Sequence, residues 1–405
     1  RRWQRGGARS RHKLEPEVRP PLPRQPLRRR YYHSLPACLH LMHCEFRLTI
    51  ASCGYIAVEV GGTRSFYIHR VLACFFSRSY DLPLLQTRPS VPWLISNTFL
   101  AGFSFSDDVD CYVTNEKEVG SDVYAALQQF FQLFPDQRAN DFYITGESYA
   151  GKYIPASAYT IFVRNQQLAS SATVKPAAAT PTSTPTESSQ VINLRGISIG
   201  DGAMDPPAQF KNYGELLWYL GMVSADARQG FKAYEASIQA ALLVNDTVTA
   251  FQVFDEMLNG DFQEYPTYYN NVTGLTNYFN FEQGDCGACA PDYSSAWLDS
   301  NRDLIHVGGL PYDSFNDTVE EYLVGDWMVG VVDMLVPLLE APDVKVLIYS
   351  GQNDVILGPP LTEQFLNDLN WAGKDEFASA PTVVWSVPSV ALNPVAGYVK
   401  QTANF

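Results

Sequence analysis

A serine stands in a turn of small residues between a predicted strand and a predicted helix. The strand covers 141–145, the sequence Gly-Glu-Ser-Tyr-Ala-Gly occupies 146–151, and helical spacing begins at Lys152. Such a sharp turn lifts a serine hydroxyl above the sheet edge, where the helix N-terminus and the Tyr149 backbone N–H face a developing oxyanion. We therefore predict that Ser148 is a nucleophile for acyl transfer, with a plain turn serine as the alternative.

A carboxylate follows the apolar strand predicted at 344–349, a strand of the kind that is buried in a parallel sheet. Asp354 lies downstream of Ser148 and keeps the order nucleophile, acid, histidine that α/β-hydrolases use. We expect Asp354 to orient and stabilise the imidazolium of a catalytic base. The alternative is an aspartate that only forms a turn at the end of the strand.

Predicted strands alternate with predicted helices around these residues. This alternation implies a mainly parallel sheet covered by helices on both faces. The predicted fold class is α/β, an α/β-hydrolase fold with an inserted helical cap. Strands are expected as a hairpin at 55–68 and at 141–145, 191–199, 344–349, 383–387 and 395–400, and helices at 121–134, capped by Ser121 or Asp122, and at 152–164 and 361–371.

Composition divides the chain into four parts. Residues 1–50 are Arg- and Pro-rich and are predicted to be a disordered basic leader, or not native coding sequence at all. Residues 51–206 are the first part of the hydrolase core, interrupted by a Thr/Ser/Pro/Ala-rich low-complexity insertion at 168–190. Residues 207–330 are the helical cap insertion. Residues 331–405 are the second part of the core, which we expect to be truncated.

The charge of the chain argues against nucleic-acid binding. The first 47 residues hold eleven Arg and one Lys against three Glu, although the net charge of the whole chain is −14. The remainder is therefore strongly acidic, which is typical of a soluble enzyme that tolerates acid. No run of about 18 apolar residues predicts a membrane span.

Three Asn-x-Thr sequons cluster in one third of the chain, at Asn245, Asn271 and Asn316. This cluster favours glycosylation and passage through the secretory pathway, to a lysosome, a vacuole or the outside of the cell. Seven cysteines make disulfides plausible there, with at least one thiol left over. Cys286 and Cys289 have metal or redox spacing, but no second pair completes a zinc site, so we expect no metal and no cofactor.

Three motifs together resemble the serine carboxypeptidase family, and within it the vitellogenic-like carboxypeptidases. GESYAGKYIP at 146–155 resembles the nucleophile signature of that family. The glycine-rich turn at 199–206 and the strand with its acid loop at 346–354 are also similar, and the resemblance covers 52–68 and 95–405. It implies a peptidase that acts on the C-termini of peptides or proteins.

By the same resemblance, Glu147 helps to bind the terminal carboxylate of the substrate. Two carboxyl groups in contact can share one proton, which raises a pKa and favours binding at acidic pH. The alternative is a glutamate that only interacts favourably with the dipole of the following helix.

Two parts that the resemblance implies are absent from the chain. None of the six histidines follows Asp354, and the resemblance implies a catalytic histidine after a strand that begins near Phe405. Residues 69–94 hold nothing like the family's Trp-x-Asn-Gly-Gly-Pro-Gly oxyanion loop, and 96–104 keep only a trace of the segment that follows it. We therefore expect this chain to be inactive, a truncated or mis-spliced product of a genuine carboxypeptidase gene. The histidines are His12, His33, His40, His43, His69 and His306.

Two other uses of the same scaffold remain open from the sequence. The first is acyl transfer to a small molecule or ester hydrolysis, because a fold does not determine its reaction. The second is a non-catalytic homologue that binds peptides. The sequence makes no prediction of oligomeric state.

Overall fold

A five-stranded sheet lies at the centre of the computed structural model, in the spatial order β2-β1-β3-β4-β5. The pairs β1–β2 and β1–β3 are antiparallel, whereas β3–β4 and β4–β5 are parallel. The predicted hairpin and the three predicted core strands are therefore confirmed. The strands are β1 (Ala57–Val60), β2 (Ser65–Phe66), β3 (Phe142–Glu147), β4 (Leu194–Gly200) and β5 (Lys345–Tyr349).

The structure describes residues 57–60, 65–66, 111–172, 190–262, 266–283, 293–304, 317–387 and 395–405. All of them fall within one compact unit, Phe46–Phe405. The helices are α1 (Glu116–Leu133), α2 (Ala150–Ala172), α3 (Pro206–Gln209), α4 (Tyr213–Tyr219), α5 (Ala225–Leu243), α6 (Thr247–Phe254), α7 (Tyr268–Thr273), α8 (Tyr293–Ser300), α9 (Asp317–Leu323), α10 (Val332–Leu339), α11 (Pro359–Asp368) and α12 (Lys374–Ser379).

The parallel strands end level with one another. Glu147 at the end of β3 pairs with Gly200 at the end of β4, and Gly200 pairs with Tyr349 at the end of β5. Because the strands run in the same direction, the loops that follow them leave from one edge of the sheet. This edge is where the sequence places its candidate catalytic residues.

Helix α1 begins earlier than predicted. Its cap is Asn115, whose side chain accepts hydrogen bonds from the N–H groups of Lys117 and Glu118 at 3.1 Å each. The prediction that Ser121 or Asp122 caps the helix is therefore wrong. The hydroxyl of Ser121 instead donates to the Lys117 carbonyl one turn back, as an interior helical residue does.

Helix α2 follows β3 and forms the centre of the packing. It packs against α1, α10 and the strands β3 and β4, and its residues 150–158 are all buried. It continues to Ala172, so the first residues of the insertion predicted at 168–190 are helical. Asn165 holds the chain where it returns to the sheet, because its amide exchanges hydrogen bonds of 2.7 and 3.2 Å with the backbone of Ile192.

The described residues between β4 and β5 form helices and turns without a strand. Between these strands lies the segment 207–330, which the sequence predicts to be a helical insertion. Trp327 joins this region to the start of α2. Its ring lies 5.1 Å from Phe251, 5.6 Å from Phe254 and 5.3 Å from Tyr149, measured between ring centroids. Burial of this aromatic cluster holds the helical insertion against the residue that follows Ser148.

Strand β5 is not buried in the way that its apolar sequence predicts. Leu347 is 56% exposed and Tyr349 is 50% exposed, because β5 is the last strand of the sheet in the described part of the chain. The Val346 N–H donates to the Asn404 carbonyl at 2.8 Å, so the segment near 404 begins to line this edge.

A second, antiparallel sheet pairs β6 (Val383–Ser386) with β7 (Val395–Val399). Both strands lie close to the positions predicted for them. Among the described helices, none is long and apolar enough to cross a membrane.

Candidate active site

Ser148 lies in the turn between β3 and α2 with a backbone φ of +62°. A non-glycine residue adopts this left-handed conformation at a cost, and a nucleophile elbow is one of the places where proteins accept it. The Ser148 N–H donates to the Gly200 carbonyl at 2.9 Å, and the Ser148 carbonyl accepts from the N–H groups of Gly151 at 2.9 Å and Ala203 at 3.1 Å. Three hydrogen bonds therefore hold the strained residue in place.

The start of α2 lies so close to the 200–203 turn that a side chain does not fit at Gly151. A Cβ atom there would stand 2.6 Å from the Ala203 nitrogen and 2.7 Å from the Gly202 carbonyl carbon. Both are backbone atoms and cannot move aside as a flexible side chain can. The glycine is therefore required for the close approach of the elbow to the turn after β4.

Tyr149 follows the candidate nucleophile, and its ring is buried. The ring packs against Tyr153 at 5.0 Å and Trp327 at 5.3 Å, and the Lys152 ammonium lies 5.1 Å from its centroid. This packing fixes the residue whose backbone N–H is the predicted oxyanion donor, which leaves little freedom at the peptide group beside Ser148.

Asp354 lies in the loop after β5 and is only 7% exposed. Its Oδ1 accepts a hydrogen bond of 2.6 Å from the Leu357 N–H. Burial is the main cause that raises its pKa to about 8; the hydrogen bonds from the Leu357 and Ile356 N–H groups oppose the shift, and the negative charges of Asp201 and Glu147 reinforce it. A cationic partner would lower this pKa, as an imidazolium beside the carboxylate does.

The helical insertion holds the Asp354 loop from one side. The Tyr278 carbonyl accepts from the Val355 N–H at 2.9 Å, and the Asn353 carbonyl accepts from the Phe281 N–H at 3.1 Å. The buried Tyr213 hydroxyl on α4 donates to the Ile356 carbonyl at 2.8 Å. Asn353 and Val355, which flank Asp354, and the following Ile356 are thus hydrogen-bonded to the insertion.

Glu147 is half-buried at the end of β3, directly before Ser148. Burial raises its pKa, and the charge of Asp201 raises it as well. Burial raises the pKa of the Tyr349 hydroxyl too, with contributions from Glu147 and Asp201. Three carboxyl groups and one phenol therefore share this edge of the sheet. Protonated carboxyls in such a group can donate hydrogen bonds to an incoming carboxylate.

Asp201 belongs to this edge, although sequence reasoning assigned it no role. It has a φ of +40°, its N–H donates to the Tyr349 carbonyl at 2.8 Å, and its Oδ1 accepts from the Gly351 N–H at 2.7 Å. The sequence signal was the Gly-Asp-Gly turn at 200–202, whose aspartate stands where a strained turn favours a short polar side chain.

A second polar group lies beneath the elbow, and sequence reasoning also missed it. The ammonium of Lys152 is fully buried and pairs with Asp326, at 2.7 Å from Oδ2 and in contact with the backbone carbonyl. Glu116 on α1 is 3% exposed, and neither of its carboxyl oxygens has a hydrogen-bond partner among the described residues. Burial raises the Glu116 pKa to about 8, opposed by Lys152 and reinforced by Asp326.

Several predicted residues lie outside the described residues, including Asn316, the two cysteines Cys286 and Cys289, and the histidines His69 and His306. The other two sequon asparagines are described, and both are exposed. Asn245 lies just after α5 with a φ of +59°, and Asn271 lies in α7. In the described part of the chain, no group of three or more His, Cys, Asp or Glu side chains is arranged to hold a metal ion.

Comparison with known proteins gives one family. A family model described as serine carboxypeptidase matches residues 95–405. The venom serine carboxypeptidase of Apis mellifera is 38% identical over 308 residues, or 76% of this chain and 60% of the relative. A Pongo abelii protein named probable serine carboxypeptidase CPVL is 38% identical over 334 residues, or 81% and 64%. The vitellogenic carboxypeptidase of Aedes aegypti is 34% identical over 313 residues, or 76% and 60%.

A solved structure matches the fold at low sequence identity. The crystal structure of Kex1Δp, a prohormone-processing carboxypeptidase from Saccharomyces cerevisiae, aligns with a TM-score of 0.55 and 18% identity, covering 73% of this chain and 62% of that one. The likeness confirms the predicted α/β-hydrolase fold. The chain spans 60–64% of the length of the three curated relatives.

Proposed function

Because the chain belongs to the serine carboxypeptidase family, we propose that it is a serine-type carboxypeptidase acting on the C-termini of peptides or proteins. The observation that carries the proposal is the strained turn at Ser148. A serine at φ +62° between a parallel strand and a buried helix, level with an acid loop two strands away, is the arrangement that α/β-hydrolases use for acyl transfer.

In the proposed reaction, the Ser148 Oγ attacks the last peptide carbonyl and gives up its proton to a base. The Tyr149 N–H donates to the oxyanion, the C-terminal residue leaves with the transferred proton, and water then hydrolyses the ester on Ser148. Asp354 is the proposed partner of the base, since it is buried and hydrogen-bonded at the end of β5. Ser148 itself is partly exposed.

We propose Glu147 as the group that binds the terminal carboxylate. Its raised pKa keeps it protonated to higher pH than an exposed glutamate, and a protonated carboxyl can donate a hydrogen bond to a carboxylate. Binding should therefore be strong at acidic pH and weaken as pH rises through the Glu147 pKa. Glu147→Gln keeps a donor at every pH, so it should flatten the rise of KM with pH.

No histidine follows Asp354 in these 405 residues. A serine without a base loses most of its rate advantage, and losing one oxyanion donor costs about 3 kcal/mol more. We therefore propose that a polypeptide of residues 1–405 has negligible turnover, and that a longer product with a histidine downstream of Asp354 is active.

The test compares residues 1–405 with the longest product of the same gene. Both are treated with a fluorophosphonate probe and with an N-blocked dipeptide near pH 5, and free amino acid is measured. We expect the longer product to be labelled at Ser148 and to release the C-terminal residue. Residues 1–405 should do neither at a measurable rate.

Two controls separate the alternatives. Ser148→Ala should abolish labelling and release, and the same dipeptide with a C-terminal amide should be a poor substrate, because it lacks the carboxylate. Equal cleavage of the amide would point to a general esterase or amidase and contradict the carboxypeptidase assignment. A longer product that contains the histidine but is neither labelled nor active would contradict both catalytic uses of the scaffold.

We also propose that the protein enters the secretory pathway, supported by the surface exposure of Asn245 and Asn271. Expression behind a secretion signal should give a protein whose electrophoretic mobility increases after treatment with peptide N-glycosidase. Asn245→Gln and Asn271→Gln should each remove one step of that change. A protein whose mobility does not change on treatment would contradict the proposal.

A further inference from the structure

The turn after β4 lies between the two halves of the candidate catalytic site. On one side, Gly200 and Ala203 hold the backbone of Ser148 through its N–H and its carbonyl. On the other side, Asp201 holds the end of β5 and the start of the Asp354 loop. A chain of four hydrogen bonds, 2.7 to 3.1 Å long, thus connects the backbone of Ser148 to that of Gly351.

Only one of these four bonds depends on a side chain. The bonds from Ser148, Ala203 and Asp201 N–H groups are made by the main chain and would survive most substitutions. The fourth joins the Asp201 Oδ1 to the Gly351 N–H at 2.7 Å. A backbone N–H bonded to a carboxylate is held more strongly than one bonded to a neutral acceptor.

The backbone at Asp201 is itself strained, since its φ is +40°. Aspartate tolerates left-handed backbone better than most residues, but glycine adopts it more easily still, so the hydrogen bond to Gly351 is what favours aspartate over glycine here. Asp201 and Gly351 are 150 positions apart in the sequence, and the hydrogen bond joins them at the edge of the sheet.

We propose that Asp201 is a positioning residue for the reaction. Its side chain fixes the loop that carries Asp354 at a set distance from the elbow that carries Ser148. The catalytic role of Asp201 rests on the proposed function. The hydrogen bond between Asp201 and Gly351, here called the Asp201 bridge, can be measured without any activity. Small displacements between catalytic groups are costly, because a shift of about 1 Å can reduce rates about a hundredfold.

The first experiment measures amide hydrogen exchange at Gly351 in residues 1–405 by mass spectrometry with residue-level fragmentation. Asp201→Ala removes the acceptor, so Gly351 exchange should rise roughly tenfold or more. Asp201→Asn keeps an acceptor oxygen of the same shape, so it should stay within about threefold of the parent. Asp343→Ala, which removes an exposed carboxylate beyond the opposite end of β5, is the matched control and should change nothing.

The second experiment measures peptidase kinetics in the longest product of the gene. Asp201→Ala should lower kcat about 10- to 100-fold with little change in KM, and Asp201→Asn should restore most of that loss. The proposal is overturned if Gly351 exchange is unchanged in Asp201→Ala, or if the asparagine variant is as impaired as the alanine variant. An inactive parent with the expected exchange pattern would refute the proposed function and leave the Asp201 bridge standing.

Discussion

Replacing the buried Glu116 by glutamine should make the stability of the protein depend differently on pH. The side chain is 3% exposed on α1, and neither carboxyl oxygen has a hydrogen-bond partner among the described residues. Burial raises its pKa from 4.5 to about 8, although the Lys152 charge opposes the shift. A carboxyl with this environment is neutral in the folded protein at pH 7.

The direction of this pH dependence follows from proton binding in the folded and unfolded states. Below pH 4.5 the carboxyl is protonated in both the folded and the unfolded chain, so it contributes no pH dependence. Between pH 4.5 and 8 the unfolded chain releases the proton and the folded chain keeps it, so the free energy of unfolding falls as pH rises. Above pH 8 both states are ionised and the loss is complete. Between a pKa of 4.5 in the unfolded chain and about 8 in the folded chain, the loss of unfolding free energy is at most about 5 kcal/mol, at about 1.4 kcal/mol per pH unit.

Glu116→Gln keeps the shape of the side chain and removes this titration. Its advantage in unfolding free energy over the parent should be small near pH 5 and grow by up to about 1.4 kcal/mol per pH unit to pH 8. Urea unfolding of residues 1–405, followed by far-ultraviolet circular dichroism from pH 5 to 9, measures it.

Glu363→Gln, the same substitution at an exposed position on α11, is the matched control. If the difference between Glu116→Gln and the parent is the same at every pH, then Glu116 is not a neutral buried acid, and the polar group beneath the elbow has been misinterpreted.

Five further substitutions, in three sets, test the packing around the site by the same urea unfolding. Lys152→Met leaves a buried carboxylate without its cation and should cost about 3–5 kcal/mol; Asp326→Leu in the same chain should recover part of that loss. Asn115→Ala removes the α1 cap and should cost about 1 kcal/mol, whereas Ser121→Ala should stay within about 0.5 kcal/mol. Gly151→Ala places a Cβ 2.6 Å from a backbone nitrogen and should cost about 1–3 kcal/mol; an unchanged midpoint would contradict the close approach.

Local features of the site could be predicted because their signals lie within a few residues of one another. The strand, the small residues and the helix around Ser148 are contiguous, and strand–turn–helix geometry follows from them. The start of α1 was also readable in principle, because Asn115 is followed three residues later by Glu118, a helix-start pattern. It was missed because charged residues, not apolar ones, fill the first turn.

The partners of the buried polar groups could not be predicted, because they are distant in the sequence. Lys152 and Asp326 are 174 residues apart, and Asp201 and Gly351 are 150 residues apart. Neither helical nor strand periodicity carries information over such separations. The exposure of β5 was mispredicted for a related reason, since an apolar strand has the same sequence at the edge of a sheet as in its interior.

These long-range contacts change what the helical insertion does. Its segment near Tyr278 and Phe281 bonds the backbone on both sides of Asp354, and Tyr213 bonds the next residue along. The acid loop is therefore held by the insertion from one side and by Asp201 from the other. Loss of the contacts from the insertion, or of the Asp201 side chain, should displace the Asp354 carboxylate even when the turn at Ser148 is intact. In the proposed site, the helical insertion therefore helps to position Asp354, and the nucleophile motif alone does not specify that position.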